Sequence, residues 1–293
     1  MKVWIIGING LVFTTTIVGT YGMKYEQFPH TGLLTETELV KDLDLENICD
    51  IEFGGHDINI RSVYESAFEN MLENKTYDER ILELIKPDLE KIPVKKGTAI
   101  NCGESINELS NDLVQSKFLR DHQEQIINDI LSFKKNDDCI VVNLASTEPL
   151  VEFTEEHMSI DALENALDNN SCAISAGILY AYCAIKNNIP FINFTPSISS
   201  EIPALKELAL SMNVPHVGKD GKTGETLIKT ALAPMFKYRA LKIDGWYGCN
   251  ILGNLDGKIL ENPINKKSKI KTKGEVLNNC LGYSPYSKVT IDY

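Results

Sequence analysis

The stretch Lys2-Val3-Trp4-Ile5-Ile6-Gly7-Ile8-Asn9-Gly10-Leu11 decides the fold. Val3 to Ile6 are β-branched or aromatic, and a glycine turn separates them from an apolar stretch that begins at Leu11, as when a buried strand hands over to a helix. The spacing predicts a strand over Lys2–Ile6 and a helix over 11–22. A glycine turn between the two is where backbone N–H groups at a helix start can meet an anion such as a dinucleotide pyrophosphate. Phe13 stands where the strict glycine fingerprint has Gly or Ala, so an ordinary strand-to-helix turn fits the same residues.

Outward from this turn the rhythm repeats. The pattern predicts a strand at 49–53, helices at 61–74 and 78–92, a loop rich in Gly, Asn and Ser over 95–111, and an amphipathic helix at 117–135. Residues 139–144 form a continuous apolar run, expected of a central strand covered on both faces. A helix at 171–187 leads into a strand at 190–194, and a helix at 203–212 into a strand at 214–218; a helix at 223–235 follows a glycine turn. From residue 237 the texture changes to strand and loop, with 238–247 and 288–292 strand-like. The alternation predicts an α/β fold with a parallel sheet and a domain boundary near residue 226. Tyr293 follows a strand pattern directly, so the second domain reads as unfinished.

At 293 residues the chain has room for about two domains, and 43% hydrophobic with 24% charged residues is the composition of a soluble globular protein. Its 29 basic and 41 acidic residues leave a net charge of -12, which argues against nucleic acid or anionic membrane as partners. Seven scattered cysteines without a Cys-x-x-Cys pair point to neither a disulfide framework nor a zinc site, and a reducing, cytoplasmic compartment suits them. The apolar start resembles a signal peptide, but Gly7, Asn9, Gly10 and Thr14 to Thr16 interrupt it and no small-residue cleavage site follows.

Several clusters carry chemistry. Asp57, ending Phe53-Gly54-Gly55-His56-Asp57, suits ribose hydroxyls or a helix N-cap. Ser146 and Thr147 follow the central strand, on the sheet edge where ligands bind. Lys219-Asp220-Gly221-Lys222-Thr223-Gly224-Glu225-Thr226 reads as a phosphate nest or a capping turn. Asn254 and Asp256 lie in a polar Gly/Asn loop, and Lys266, Lys267, Lys269, Lys271 and Lys273 put five ammonium groups within eight residues, either a solvated face or a receptor for a phosphorylated substrate. The five histidines lack any ligand spacing, so they do not point to metal.

Taken in order, Phe53 to Asp57, Ala145-Ser146-Thr147-Glu148, Pro190-Phe191-Ile192-Asn193, Gly218 to Thr226, Asn250 to Gly257, and Lys269 with Lys273 resemble the inositol-1-phosphate synthase family, in its shorter prokaryotic branch. The likeness runs from residue 2 to residue 293. It implies an α/β chain with an NAD-binding Rossmann domain over 1–226 and, over 227–293, the start of an incomplete α+β catalytic and tetramerisation domain. It also implies conversion of D-glucose 6-phosphate to 1D-myo-inositol 3-phosphate (1L-myo-inositol 1-phosphate) by oxidation, enolisation, ring closure and reduction. NAD is the implied cofactor, with a divalent metal or ammonium ion as a further candidate, and a phosphorylated sugar and further copies of the chain in a homotetramer are the implied partners.

Carried over position by position, Gly7, Gly10, Asp57, Ser146 and Thr147 match cofactor-binding places. Asp220, Asp256, Lys269 and Lys273 match catalytic ones, and Thr223, Gly224, Glu225 and Asn254 match substrate contacts. Three residues depart from the family pattern: Glu225 replaces Gln, His56 replaces Trp, and Phe194 replaces Gly. A carboxylate at 225 is expected to repel a phosphate unless it is protonated or turned away, and Lys222, three residues earlier, is a partner that would soften the repulsion. The family continues past this point with further catalytic lysines, so the resemblance implies a chain truncated at its C-terminus. A non-catalytic NAD-binding relative and an NAD-dependent oxidoreductase acting on another phosphorylated substrate share the same motifs.

Overall fold

The computed structural model describes residues 1–108, 110, 113–221, 224–251, 257, 260 and 276–292. Along the chain run β1 (Lys2–Ile6), α1 (Leu11–Lys24), β2 (Glu52–Asp57), α2 (Val63–Asn74), α3 (Glu79–Leu89), β3 (Val94–Lys96), α4 (Glu104–Asn107), α5 (Leu119–Lys134) and β4 (Cys139–Asn143). There follow α6 (Ile160–Asp168), α7 (Ala176–Lys186), β5 (Phe191–Asn193), α8 (Pro203–Met212), β6 (His216–Val217), α9 (Gly224–Tyr238), β7 (Gly245–Ile251) and β8 (Tyr286–Asp292). The main sheet has the order β3-β2-β1-β4-β5-β6, and β1 pairs in parallel with both β2 and β4. That order, reversing at β1 and β4, is the Rossmann arrangement, in which ligands bind beyond the carboxyl ends of the strands.

The chain packs into two compact units that trade sequence back and forth. The first comprises Met1–Thr98, Ser110–Ala145 and Cys183–Ile192; the second comprises Ala99–Leu109, Ser146–Tyr182 and Asn193–Tyr293. This packing division crosses the chain several times before residue 226, where the change of sequence texture suggested a single cut.

In the first unit β1 is buried along its whole length. Val3 and Ile5 enter a core with Phe13, Ile17 and Val18 of α1, Val63 and Ala67 of α2, and Leu82, Ile85 and Leu89 of α3. Trp4, pointing to the other face as alternation requires, meets Phe133 of α5 with ring centroids 5.2 Å apart. Helices therefore cover both faces, which is why the strand is apolar throughout. The Ser62 hydroxyl and the Glu65 carboxylate close a capping box at the start of α2.

Strand β2 starts later than the apolar pattern indicated, at Glu52, because residues 48–50 form a 3-10 turn and the strand continues through Gly54 and Gly55. Those glycines are close-packing positions. A Cβ on Gly55 would lie 2.2 Å from Ile5 O, and one on Gly54 2.9 Å from the Phe133 ring. Between them and Asp57, His56 is fully buried: its Nδ1 accepts the Trp4 indole N–H at 3.0 Å and its Nε2 faces Asp129 Oδ2 at 3.2 Å. Burial holds the imidazole below its ordinary pKa, and Asp129 only partly offsets this.

The unfolded chain therefore takes up a proton near pH 6.5 that the folded chain refuses, so stability is full above that pH and falls as the solution is acidified, by up to about 1.4 kcal/mol per pH unit. Urea unfolding between pH 7 and pH 5 checks this. The native chain should show a steeper loss than His56→Gln, and equal slopes would assign the acid sensitivity to other groups.

In the second unit β7 pairs in parallel with β8, from Gly245 opposite Tyr286 to Ile251 opposite Asp292. Ala233 of α9 packs with Leu277 and Leu281, against Ile243 and Trp246.

Candidate functional site

The glycine turn sits at the carboxyl end of β1. Gly7 and Ile8 donate their N–H groups to His56 O, and Gly10 donates to Gly7 O at 3.1 Å. Gly7 has φ +85, and a Cβ there would come within 3.0 Å of Leu144 O and 3.1 Å of Ala145 N. Conformation and space both demand glycine. Gly10 opens α1 in extended backbone with no side-chain cap, so the first N–H groups of the helix, on Leu11, Val12 and Phe13, keep their positive field for a ligand. Phe13 is buried in the core of the first unit, so its bulk is taken up by packing.

Asp57 closes this side. Its Oδ2 accepts the Asn9 N–H at 2.9 Å and its Oδ1 the Asn59 N–H at 3.1 Å, while Ser62 caps α2, so Asp57 is free of that capping role. Burial pushes its carboxyl up, against the N–H groups of Asn9, Asn59 and Ile58. Three N–H groups do not fill the acceptor capacity of a carboxylate, and the residue is partly exposed, which leaves room for a ribose hydroxyl. A turn with glycine at both ends, a helix start without a side-chain cap and an acidic strand end together fit a dinucleotide.

The second unit holds the other candidates. Ser146 is partly exposed and Thr147 buried. Next to them Glu148 is buried, its carboxylate accepting the Ser175 hydroxyl at 2.7 Å, the Gly177 N–H at 2.7 Å and the Cys102 thiol at 3.3 Å. Burial pushes this carboxyl up in spite of those donors. Its place at the start of α7 sets a carboxylate against the positive end of a helix dipole. Asp220 has φ +66, a left-handed conformation that Asp tolerates, and its N–H donates to Thr195 O at 2.7 Å.

Gly224 starts α9, and no atom of the described residues lies within 4 Å of where a Cβ would point. Glu225 turns its carboxylate away into protein. Oε1 accepts Lys229 Nζ at 2.8 Å and the Trp246 indole N–H at 2.9 Å, and Oε2 accepts Asn250 Nδ2 at 2.5 Å. Burial alone would raise this carboxyl, but Lys229, Asn250 and Trp246 hold it below its ordinary value. The observed counter-ion is thus Lys229, one helical turn later, whereas Lys222 lies outside the described residues. Thr223, Asn254, Asp256, Lys269 and Lys273 also lie outside them. Among the described residues no cluster of three His, Cys, Asp or Glu side chains gathers to hold a metal.

The sequence did not single out Lys229, Trp246, Thr195 or Ser197. Of these only Lys229 left a signal, its four-residue spacing from Glu225 on a helix.

Comparison with known proteins gives the same direction. A family model described as myo-inositol-1-phosphate synthase, of the NAD-binding class, matches residues 1–265. Inositol-3-phosphate synthase 1 of Bacteroides thetaiotaomicron is 36% identical over all of this chain and 72% of its own length. Inositol-3-phosphate synthase 1 of Plasmodium falciparum is 30% identical over 82% of this chain and 40% of its own. The crystal structure of inositol-3-phosphate synthase from Caenorhabditis elegans superposes with a TM-score of 0.86 at 23% identity, over 100% of this chain and 64% of that one, a likeness of fold. The chain thus spans less than two thirds of the Plasmodium and nematode proteins. With one family model running from residue 1 to residue 265 and the Bacteroides relative aligned over the whole chain, the protein belongs to the myo-inositol-1-phosphate synthase family.

Proposed function

We propose that this chain converts D-glucose 6-phosphate into 1D-myo-inositol 3-phosphate, a step of inositol and phospholipid biosynthesis. The Gly7 turn carries the proposal, because a glycine with no side chain packed against Leu144 and Ala145, beside a helix start that Gly10 leaves without a side-chain cap, suits a dinucleotide in a chain of this family. When bound, NAD supplies a hydride exchange that is reversed within one turnover, so no net oxidation occurs. The N–H groups of Leu11, Val12 and Phe13 hold the pyrophosphate, Asp57 accepts the ribose hydroxyls, and Ser146 and Thr147 border the cofactor.

On the substrate side Asp220, Asp256, Lys269 and Lys273 move protons and stabilise the anionic enolate of the sugar. Thr223, Gly224, Glu225 and Asn254 hold the phosphate. Glu225 contributes its backbone N–H at the start of α9, since its carboxylate is committed to Lys229, Trp246 and Asn250. In functional terms residues 1–226 serve the nucleotide and 227–293 begin the catalytic and oligomerising part, which assembles as a homotetramer in the cytoplasm. No described helix is long and apolar enough to cross a membrane.

Phosphorus NMR of the sugar phosphate, followed alongside absorbance at the nicotinamide band, tests this. Inositol phosphate should form without stoichiometric NADH. Lys269→Ala and Lys273→Ala should each cut turnover by about 100-fold or more with NAD affinity nearly intact. Steady NADH growth without a cyclised product would replace the synthase by an ordinary oxidoreductase. NAD binding with no turnover at all would leave a non-catalytic relative.

A further inference from the structure

Within the second unit a chain of buried polar groups joins the loop at Ser146–Glu148 to the turn at 218–221. The Glu148 N–H donates to Ser197 Oγ at 2.9 Å. The Ser197 N–H donates to Thr195 Oγ1 at 3.2 Å, and Asn193 Nδ2 donates to Ser197 O at 2.9 Å. Asn193 Oδ1 in turn accepts both the Thr195 N–H at 3.0 Å and the Thr195 hydroxyl at 2.8 Å. The carbonyls of Phe194 and Thr195 then receive the N–H groups of Gly221 at 2.9 Å and Asp220 at 2.7 Å. Gly218, at φ +100, lies so close that a Cβ would stand 2.3 Å from Asn193 O. Asn193, Thr195 and Ser197 are all at most 3% exposed, so water offers no alternative partner.

From this geometry we infer that Ser197 is a positioning residue, whose hydroxyl couples the cofactor-side loop carrying Ser146 and Thr147 to the substrate-side turn carrying Asp220. The inference rests on the functional reading above for the names of the two sides, and on the hydrogen bonds alone for their connection. Ser197 Oγ is the acceptor through which the Glu148 backbone joins the Asn193–Ser197 loop. Removing it leaves a buried N–H on Glu148 without an acceptor, a cost that loosening of the loop relieves. Because the same residue's backbone closes the small ring with Thr195 and Asn193, the loosening reaches the two carbonyls that hold Asp220 and Gly221.

The test has two arms on the full chain, comparing Ser197→Ala with Ser197→Thr, which keeps the hydroxyl. The first arm is amide hydrogen exchange without ligand. Ser197→Ala should speed exchange about tenfold both at Glu148 and at Asp220 and Gly221, and Ser197→Thr should restore the native rates. Faster exchange at Glu148 alone, or at neither place, overturns the inference. The second arm measures NAD affinity with and without saturating glucose 6-phosphate. The native chain should show a coupling of about fivefold or more, a factor that Ser197→Ala reduces toward one and Ser197→Thr recovers.

A native coupling factor of one, or full coupling in Ser197→Ala, overturns the inference. Should the native chain bind neither ligand, the functional reading falls, and the exchange arm still decides the connection between the two segments. If Ser197→Ala does not fold, Ser197→Cys, whose sulfur is a weak acceptor, carries both comparisons.

Discussion

Replacing Lys229 by Met is expected to destabilise the protein by about 3–5 kcal/mol, because it strands a buried carboxylate. Lys229 is 0% exposed and Glu225 8%, and their charged atoms are 2.8 Å apart. Neither group has bulk water to fall back on. Gly248 is part of the same arrangement, since a Cβ there would stand 2.2 Å from Glu225 Oε1, and the Lys229 ammonium lies 5.6 Å from the centre of the Trp246 ring. With the lysine gone, the Trp246 and Asn250 donors remain, and two neutral hydrogen bonds do not offset an unpaired buried charge.

The double variant Glu225→Gln with Lys229→Met removes both charges and should recover most of the loss, as buried pairs contribute little net stability. Urea unfolding of the native chain, both single variants and the double variant gives the coupling energy directly. A loss below about 1 kcal/mol in Lys229→Met would mean that the pair is solvated. The same logic governs how phosphate binding at the start of α9 must be compared. Glu225→Gln alone leaves Lys229 buried without its counter-ion, so a change in sugar phosphate affinity is interpretable only between the native chain and the double variant.

The extent to which these features were legible in the sequence follows from where each signal resides. Strand β1 and its turn were readable because Val3 to Ile6 are buried on both faces and leave an unbroken apolar run. Helix α8 was readable to the residue, with Pro203 at its first position. Strand β2 was placed at 49–53 because Gly54 and Gly55 carry no apolar side chain to extend the pattern, whereas that lack lets Phe133 and Ile5 approach. Strand β3 went unread, two of its residues falling in the stretch read as loop: it is three residues long and mostly exposed, so no alternation marks it.

Helix α6 went unread although Leu163, Ala166 and Leu167 form an apolar stripe, for nine residues give only two turns of period. The candidate site divides in the same way. Gly7 and Asp57 announce themselves by type and place. The acceptor Ser197 does not, because a buried serine is identified only by which distant N–H it meets, and Glu148 is 49 residues away.

Gly7→Ala is expected to weaken NAD binding by about 100-fold or more, whereas Gly10→Ala should cost less than about tenfold. Both glycines belong to one turn, but they serve it differently. Gly7 has φ +85, which an L-residue adopts only at about 1–2 kcal/mol, and its added Cβ would also press on Leu144 O at 3.0 Å and Ala145 N at 3.1 Å. Those atoms are backbone and cannot swing aside, so the turn itself must move. Gly10 has φ -68, an ordinary value, and among the described residues its added Cβ would meet only Gly7 O at 3.2 Å, which a small adjustment relieves.

Moving the Gly7 turn carries the start of α1 with it, through the Gly10 N–H bonded to Gly7 O and the Thr14 N–H bonded to Gly10 O. The N–H groups of Leu11, Val12 and Phe13 then lose their alignment with the pyrophosphate. Charge-assisted hydrogen bonds contribute about 1.5–3 kcal/mol each, so losing the geometry of two of them accounts for the expected fall in affinity. Titration calorimetry with NAD on the native chain and both variants, with thermal midpoints to confirm folding, measures the difference. Equal losses at the two positions would mean that the pyrophosphate does not depend on the Gly7 turn, and the cofactor would have to be placed against a different part of the sheet edge.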